Sequence, residues 1–342
     1  MTDEPGRLSG VLKKLLLTAV SVIICLAVLG IAELFCRTFL EINLRKTSKD
    51  FMILDASGRP VANAPNSQGV SFGATVFSDS NGFRVPENYR YPRAEKAILL
   101  LGDSVTFGVG VPEEQTFAGL LRSSDGSIIV YNAAVNGFSL PDYLRTAERA
   151  LSEHPEIDEV ILFYCLNDFR EIGQSEEKPA SASGLAGVKR LIASAFAGMN
   201  EFLGPRSKLY VLITGLTTDP SRRYFEWDMS LMNAASERTA EILEPIEKIN
   251  DLVKQRNGKF VVFLNPYEFQ LRKEGGDFSP QDKMIEYLKA KGIQYVDTRD
   301  AFRQIPRPSS AFLFADPMHL SAAGHRVVYD QLIEFQRSER TN

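Results

Sequence analysis

From residue 97 onward the chain alternates short apolar runs with amphipathic stretches, and this alternation constrains the fold more than any other feature. Ala97–Leu101, Ser127–Asn132, Glu159–Tyr164, Lys259–Leu264 and Gln294–Asp297 read as strands, because each is brief, apolar and bounded by breakers. The segments Glu114–Ser123, Leu140–His154, Ala234–Gln255, Gln281–Lys291 and Ser321–Glu334 read as helices; the second carries Leu144, Ala147, Ala150 and Leu151 on one face. Strands alternating with helices imply a parallel sheet covered by helices on both faces. Residues 172–235 break the pattern. They hold a Ser/Ala/Gly-rich piece (Pro179–Gly187), an apolar helical stretch (Val188–Phe202), a further apolar run (Leu209–Leu216) and the aromatic residues Tyr224, Phe225 and Trp227. This insertion is expected to form a lid, a membrane-resting surface or a second core layer.

The N-terminus limits where the chain can reside. Leu15–Ala32 contains no charged residue and no histidine. As a helix it would span about 27 Å at roughly 1.5 Å per residue, close to a hydrocarbon core of about 30 Å, and Leu34-Phe35-Cys36 extends it. A cleaved signal peptide is the alternative, but the run is longer than an ordinary signal core and no Ala-x-Ala site follows. The expected division is a cytoplasmic tail (1–14), a single-pass membrane anchor (15–36), a linker and extension with one or two short strands or a hairpin (37–95), and the main domain (96–342). Lys13-Lys14 abut the apolar run, while Arg37, Arg45, Lys46 and Lys49 follow it. The count of positive charges therefore does not decide orientation. The long C-terminal part can be exported whatever its flanks, and the domain is expected on the outer, periplasmic or extracellular, side.

The net charge is −4 with no basic block, which excludes nucleic acid as a partner. Cys25, Cys36 and Cys165 and the three histidines, His154, His319 and His325, show no metal-ligand spacing. Neither a metal nor another cofactor is expected, nor a structural disulfide.

Chemistry gathers at the strand ends. The first strand runs into Gly102-Asp103-Ser104 and Gly108, which places a serine where open α/β sheets bind ligands. A nucleophilic serine needs a base and a group to orient that base. Asp316-Pro317-Met318-His319, on a loop before the last helix, supplies both, in the order Ser…Asp…His. Oxyanion donors can come from the Gly137 N–H after the second strand and the Asn167 amide after the third. His154 reads as a helix cap and His325 as part of the last helix. Asn265, Tyr267, Glu268 and Gln270 follow the fourth strand at the same sheet edge. Asp103, Asn265, Tyr267 and Glu268 are the candidate substrate-contact residues.

These four segments resemble the four blocks of the SGNH/GDSL hydrolase family over residues 95–340. The resemblance implies a flavodoxin-like three-layer α/β/α domain with a mainly parallel sheet of about five strands. It also implies Ser104 as nucleophile, His319 as general base, Asp316 as its orienting partner, and an oxyanion hole of Ser104 N–H, Gly137 N–H and Asn167. One departure stands in the third block, where Cys165 occupies the family's glycine position. The anchor followed by Asp79-Ser80-Asn81-Gly82-Phe83-Arg84 is similar to membrane-anchored bacterial members, some of which act on acylated cell-surface polysaccharides. The expectation is a serine esterase or O-acyltransferase acting on acylated envelope carbohydrate, in contact with envelope polysaccharide machinery. The alternatives are a lipase or thioesterase of the same fold, and a catalytically silent binding subunit of a polysaccharide assembly complex.

Overall fold

The computed structural model describes residues 4–94, 96–124, 126–169, 196–272 and 276–341. Among these residues ten strands form: β1 (Met52–Leu54), β2 (Pro60–Asn63), β3 (Gln68–Ser71), β4 (Ala74–Ser78), β5 (Arg84–Val85), β6 (Lys96–Leu101), β7 (Ile128–Asn132), β8 (Ile157–Tyr164), β9 (Lys259–Leu264) and β10 (Gln294–Asp297). β6 to β10 are the five strands expected from the apolar runs. They pair in parallel in the order β7-β6-β8-β9-β10, which is the flavodoxin-like order with its reversal between β6 and β8.

That reversal dictates the layers. Right-handed crossovers place the helix between β6 and β7 on one face and the helix between β7 and β8 on the other. Accordingly, Leu140–Glu153 packs on Thr239–Lys254, while Phe117–Ser124 packs on the final helix, Ala322–Thr341. The strands are buried on both faces. Leu99, Leu100, Leu101, Val160, Ile161, Leu162, Val262, Phe263 and Leu264 are all solvent-inaccessible or nearly so, as their unbroken apolar runs require.

The segment before β6 is more than a linker. β1 and β2 form a separate antiparallel pair. β3, β4 and β5 join the main sheet antiparallel, through the pairing of Arg84 with Asn132 on β7. The sheet therefore has eight strands, five parallel and three contributed by the extension.

A continuous helix, Glu4–Phe39, opens the chain. Its Leu12–Phe39 portion is long and apolar enough to cross a membrane, and its most apolar window is entirely unburied by the rest of the protein. In the insertion, Pro179–Gly187 and the first part of Val188–Phe202 lie outside the described residues. Residues 196–203 are helical, and Lys208–Thr218 and Pro220–Ala234 are helices. The single long helix expected from Ala234 is broken by a tight turn at Ser236–Arg238, so its regular part starts at Thr239. Phe225 and Met232 of Pro220–Ala234 enter the main core, so this part of the insertion is a core layer.

Candidate active site

β6 ends at Leu101, and Gly102-Asp103 turn the chain into one short helical segment, Ser104–Phe107. A Cβ at Gly102 would stand 2.0 Å from Thr106 Oγ1, so the turn closes this tightly only with glycine there. Asp103 caps the turn, its Oδ1 accepting the Val105 N–H at 2.9 Å. Its Oδ2 accepts from Asn167 Nδ2 at 2.6 Å and lies 3.3 Å from Ser104 Oγ. Asp103 is buried. It ties the end of β6 to the segment after β8 and is thus a scaffold of the site.

The loop between Phe312 and Leu320 is pinned at its base by an antiparallel bridge of those two residues. Inside it, Asp316 Oδ1 accepts the N–H groups of Met318 and His319 at 3.1 and 2.8 Å. Its Oδ2 lies 2.8 Å from His319 Nδ1, and His319 Nε2 lies 2.8 Å from Ser104 Oγ. A carboxylate only accepts, so Nδ1 carries the proton and Nε2 is left with a lone pair facing the serine hydroxyl. This is the geometry of a nucleophile, its base and the base's orienting group.

Electrostatics act in the same direction. Burial pushes the His319 pKa down, but the adjacent Asp316 carboxylate, aided by Asp103, outweighs burial and holds it above the ordinary 6.5. Burial likewise works to raise the Asp316 pKa. The His319 charge and hydrogen bonds, with the two backbone donors, overcome it and keep the carboxyl below 3.8. Neutral His319 is the form that can take the serine proton. kcat/KM for a soluble ester should therefore rise with pH through a midpoint above 6.5; a rate–pH profile with its ascending limb centred below that value would contradict the assignment.

Asn167 Nδ2 has two hydrogens, and Asp103 takes one. Gly137 follows β7 on the opposite flank of β6, where the Val135 N–H reaches Gly102 O at 3.4 Å. Cys165 has an ordinary negative φ, so the glycine usual in this block is not needed. Its side chain is buried, and its N–H donates to Asp168 Oδ2 at 2.8 Å.

The structure corrects one expectation. Asn265, Tyr267 and Glu268 do not face a substrate. The Tyr267 hydroxyl donates to Asp228 at 2.6 Å beneath helix Pro220–Ala234. Asn265 Oδ1 accepts from Thr298 at 3.2 Å. Glu268 pairs with Arg272 at 2.7 Å, and its N–H donates to Pro317 O at 2.9 Å. All three are buried, and Glu268 braces the His319 loop from behind. Gln270 is buried too, bonded to Gln281 at 2.9 Å. Of the other histidines, His154 caps helix Leu140–Glu153. His325 is sealed in the interior, where burial drives its pKa down to about 3.

Two residues of the extension carry weight that the sequence did not reveal. Phe72, on the β3–β4 turn, sets its ring edge-on to His319, with centroids 5.5 Å apart. Arg84 is completely buried beside the end of the Ser104–Phe107 turn. Its guanidinium donates to the carbonyls of Phe107, Gly108 (2.6 Å) and Val111 (2.6 Å), and its Nε lies 2.7 Å from Glu113. Glu113 in turn meets Arg122, which also holds Arg84 O and Val130 O. A Cβ on Gly108 would stand 2.7 Å from the Arg84 guanidinium, so the glycine makes room for it. The available signal was the Asp79–Arg84 stretch, a turn ending in an arginine just before the first core strand.

Among the described residues there is no group of metal-ligating side chains, and all three cysteines are free. Residues 100–327 match the model of the GDSL-like lipase/acylhydrolase family. No curated protein matches the chain. Among solved structures, it is similar to a lipolytic protein of the G-D-S-L family from Veillonella parvula, at 14% identity over 70% of this chain and 97% of that one, with a TM-score of 0.41. A psychrotrophic esterase from Pseudoalteromonas sp., inhibited by monoethylphosphonate, is 13% identical over 72% of this chain and 100% of that one, at 0.39. An acetylxylan esterase from Geobacillus stearothermophilus, solved as a catalytic mutant, is 15% identical over 72% and 95%, at 0.41.

Proposed function

Because the chain belongs to the GDSL-like lipase/acylhydrolase family, a family of carboxylic ester hydrolases, we propose that Ser104 is its acyl-accepting nucleophile, in a domain anchored to the outer face of a membrane. The observation that carries this reading is the unbroken line from Asp316 through His319 to Ser104, with both junctions at 2.8 Å. His319 Nε2 takes the Ser104 proton as Oγ attacks the ester carbonyl. The negative charge on the carbonyl oxygen is met by the N–H groups of Ser104 and Gly137 and by Asn167. The tetrahedral intermediate collapses, His319 returns its proton to the departing alcohol, and the acyl group remains on Ser104. Water or a sugar hydroxyl, deprotonated by His319, then releases it.

The substrate proposed is an acylated carbohydrate of the cell envelope, with transfer to a second sugar as the variant outcome. A membrane-spanning Leu12–Phe39 would hold the enzyme beside such material. A second reading, a lipase or thioesterase, is favoured by one observation: the exposed apolar residues Ile213 and Leu216 lie on the helix that packs against the His319 loop. The test treats the full chain with a phosphonate ester probe, maps the adduct by mass spectrometry, and assays acetyl-sugar, short-chain and long-chain esters. An adduct on the Ser104 peptide with preferred deacetylation of the sugar ester supports the first reading. Preference for long chains moves the assignment to the second, and no adduct with no turnover removes both.

A further inference from the structure

Helix Lys208–Thr218 is joined to the end of the N-terminal helix by an unusual cap. The Glu33 carboxylate accepts from the N–H groups of Lys208 and Leu209, at 3.1 and 2.9 Å, and from Ser207 Oγ at 2.8 Å. Lys208 Nζ returns a bond to Leu40 O at 2.9 Å, Arg37 donates to Arg206 O, and the Arg45 N–H reaches Gly204 O at 3.1 Å. A capping carboxylate neutralises the free N–H groups and positive dipole end of a helix. The start of Lys208–Thr218 is thereby fixed within two turns of Phe39, where the N-terminal helix ends.

The helix so fixed has two unlike faces. Val211 is buried, and Gly215 lies so close to the His319 loop that a Cβ would stand 2.5 Å from Ala315 Cβ and 2.7 Å from Phe314. On the outer face Ile213 is 50% and Leu216 72% exposed. Leu209–Thr218 contains no charged residue. Phe196, Met199 and Phe202, three residues apart along 196–203, are exposed as well. Outside the N-terminal helix, the other large apolar side chains exposed among the described residues are Ile53, Leu54 and Val61. Exposed apolar surface is thus concentrated beside the membrane helix, in direct continuity with it, and such patches mark interaction surfaces.

We propose that 196–203 and Lys208–Thr218 form a docking face for the phospholipid bilayer, lying in its interfacial layer next to the anchor. This rests on the reading of Leu12–Phe39 as membrane-spanning. Apolar side chains entering the acyl boundary bind in proportion to the area they bury. The bilayer is the occupant because the face continues the surface of a helix whose side chains from Leu15 to Ile31 are uncharged and exposed. The consequence for the site is positional. The opposite side of the docking helix touches Phe314 and Ala315, the two residues before Asp316, so the triad is held one helix away from the membrane surface. An ester whose lipid part stays in the bilayer would be presented to Ser104 without leaving it.

The test uses the full chain in phosphatidylcholine/phosphatidylglycerol vesicles, in a Cys25→Ser background where the remaining Cys36 and Cys165 are buried. Single cysteines at Ile213, Leu216, Leu26 and Lys96 carry an environment-sensitive fluorophore, with doxyl lipids as quencher. Lys96 opens β6, at the sheet edge away from the triad. Quenching is expected at Leu26, Ile213 and Leu216 and not at Lys96. Quenching at Leu26 alone would overturn the docking face while leaving the anchor intact. A water-like signal at Leu26 would remove the anchor reading and the docking face with it. In parallel, the Ile213→Glu/Leu216→Glu variant should lose about tenfold in rate on a bilayer-embedded ester and stay near wild type on p-nitrophenyl acetate. Equal rates on the embedded ester would count against the proposal.

Discussion

The Ser104→Ala variant is expected to lose about 10⁴-fold or more in kcat on p-nitrophenyl acetate, with KM little changed, leaving only the residual acceleration of oxyanion donors and binding. The magnitude follows from what the variant removes. Ser104 Oγ stands 2.8 Å from His319 Nε2, and the base alone activates water poorly without a placed nucleophile. Stability should change little, because among the described residues Ser104 Oγ hydrogen-bonds to His319 and Asp103 alone. Steady-state kinetics beside a thermal melt check this. A variant that keeps a tenth or more of the activity at unchanged melting temperature would move the nucleophile elsewhere.

Arg84→Met should fail in the other way, by losing the fold before the chemistry. Arg84 is buried with its charge, pushed by desolvation toward a lower pKa and held by Glu113. Removing it leaves Glu113 to Arg122 alone and takes the guanidinium from the carbonyls of Phe107, Gly108 and Val111, of which Gly108 O keeps the Val111 N–H at 3.3 Å. Breaking a buried pair from one side costs about 3–5 kcal/mol, which in a domain of this size is a fall of roughly 10 °C in the melting midpoint. At temperatures where the variant is still folded, kcat should fall more than KM rises, because the helical turn bearing Ser104 loses its support while the substrate surface remains. Arg84→Lys should not rescue it, since one ammonium cannot replace a planar fork reaching three carbonyls and a carboxylate. A melting point within a degree or two of wild type would refute this account.

What could be read from the sequence follows from where the information is local. The five core strands were legible because each is an apolar run cut off by glycine or a polar turn, and the candidate site because Ser104, Asn167 and the Asp316–His319 loop sit at the ends of elements. The role of the loop after β9 was not. Whether Tyr267 faces solvent depends on Asp228, 39 residues earlier, in a helix the strand–helix rhythm does not announce. The way the extension joins the main sheet left no local trace for a related reason. β5 is two residues long and joins the main sheet through one pair, Arg84 with Asn132, which leaves no periodic trace. A buried arginine also reads in sequence as a surface charge, since nothing local tells that Glu113, Arg122 and three carbonyls await it.

Ser104 and His319 meet across 215 residues of chain, and this separation sets a timetable. The N-terminal apolar helix, the extension, Arg84 and Ser104 all precede residue 110, whereas His319 follows Ser104 by 215 residues. Domains form as the chain is made, N-terminal parts first. Until the closing segment docks, Ser104 is an ordinary alcohol with no group to take its proton. The pairing of Ser104 with His319 thus forms only once the loop between Phe312 and Leu320 has docked at the sheet.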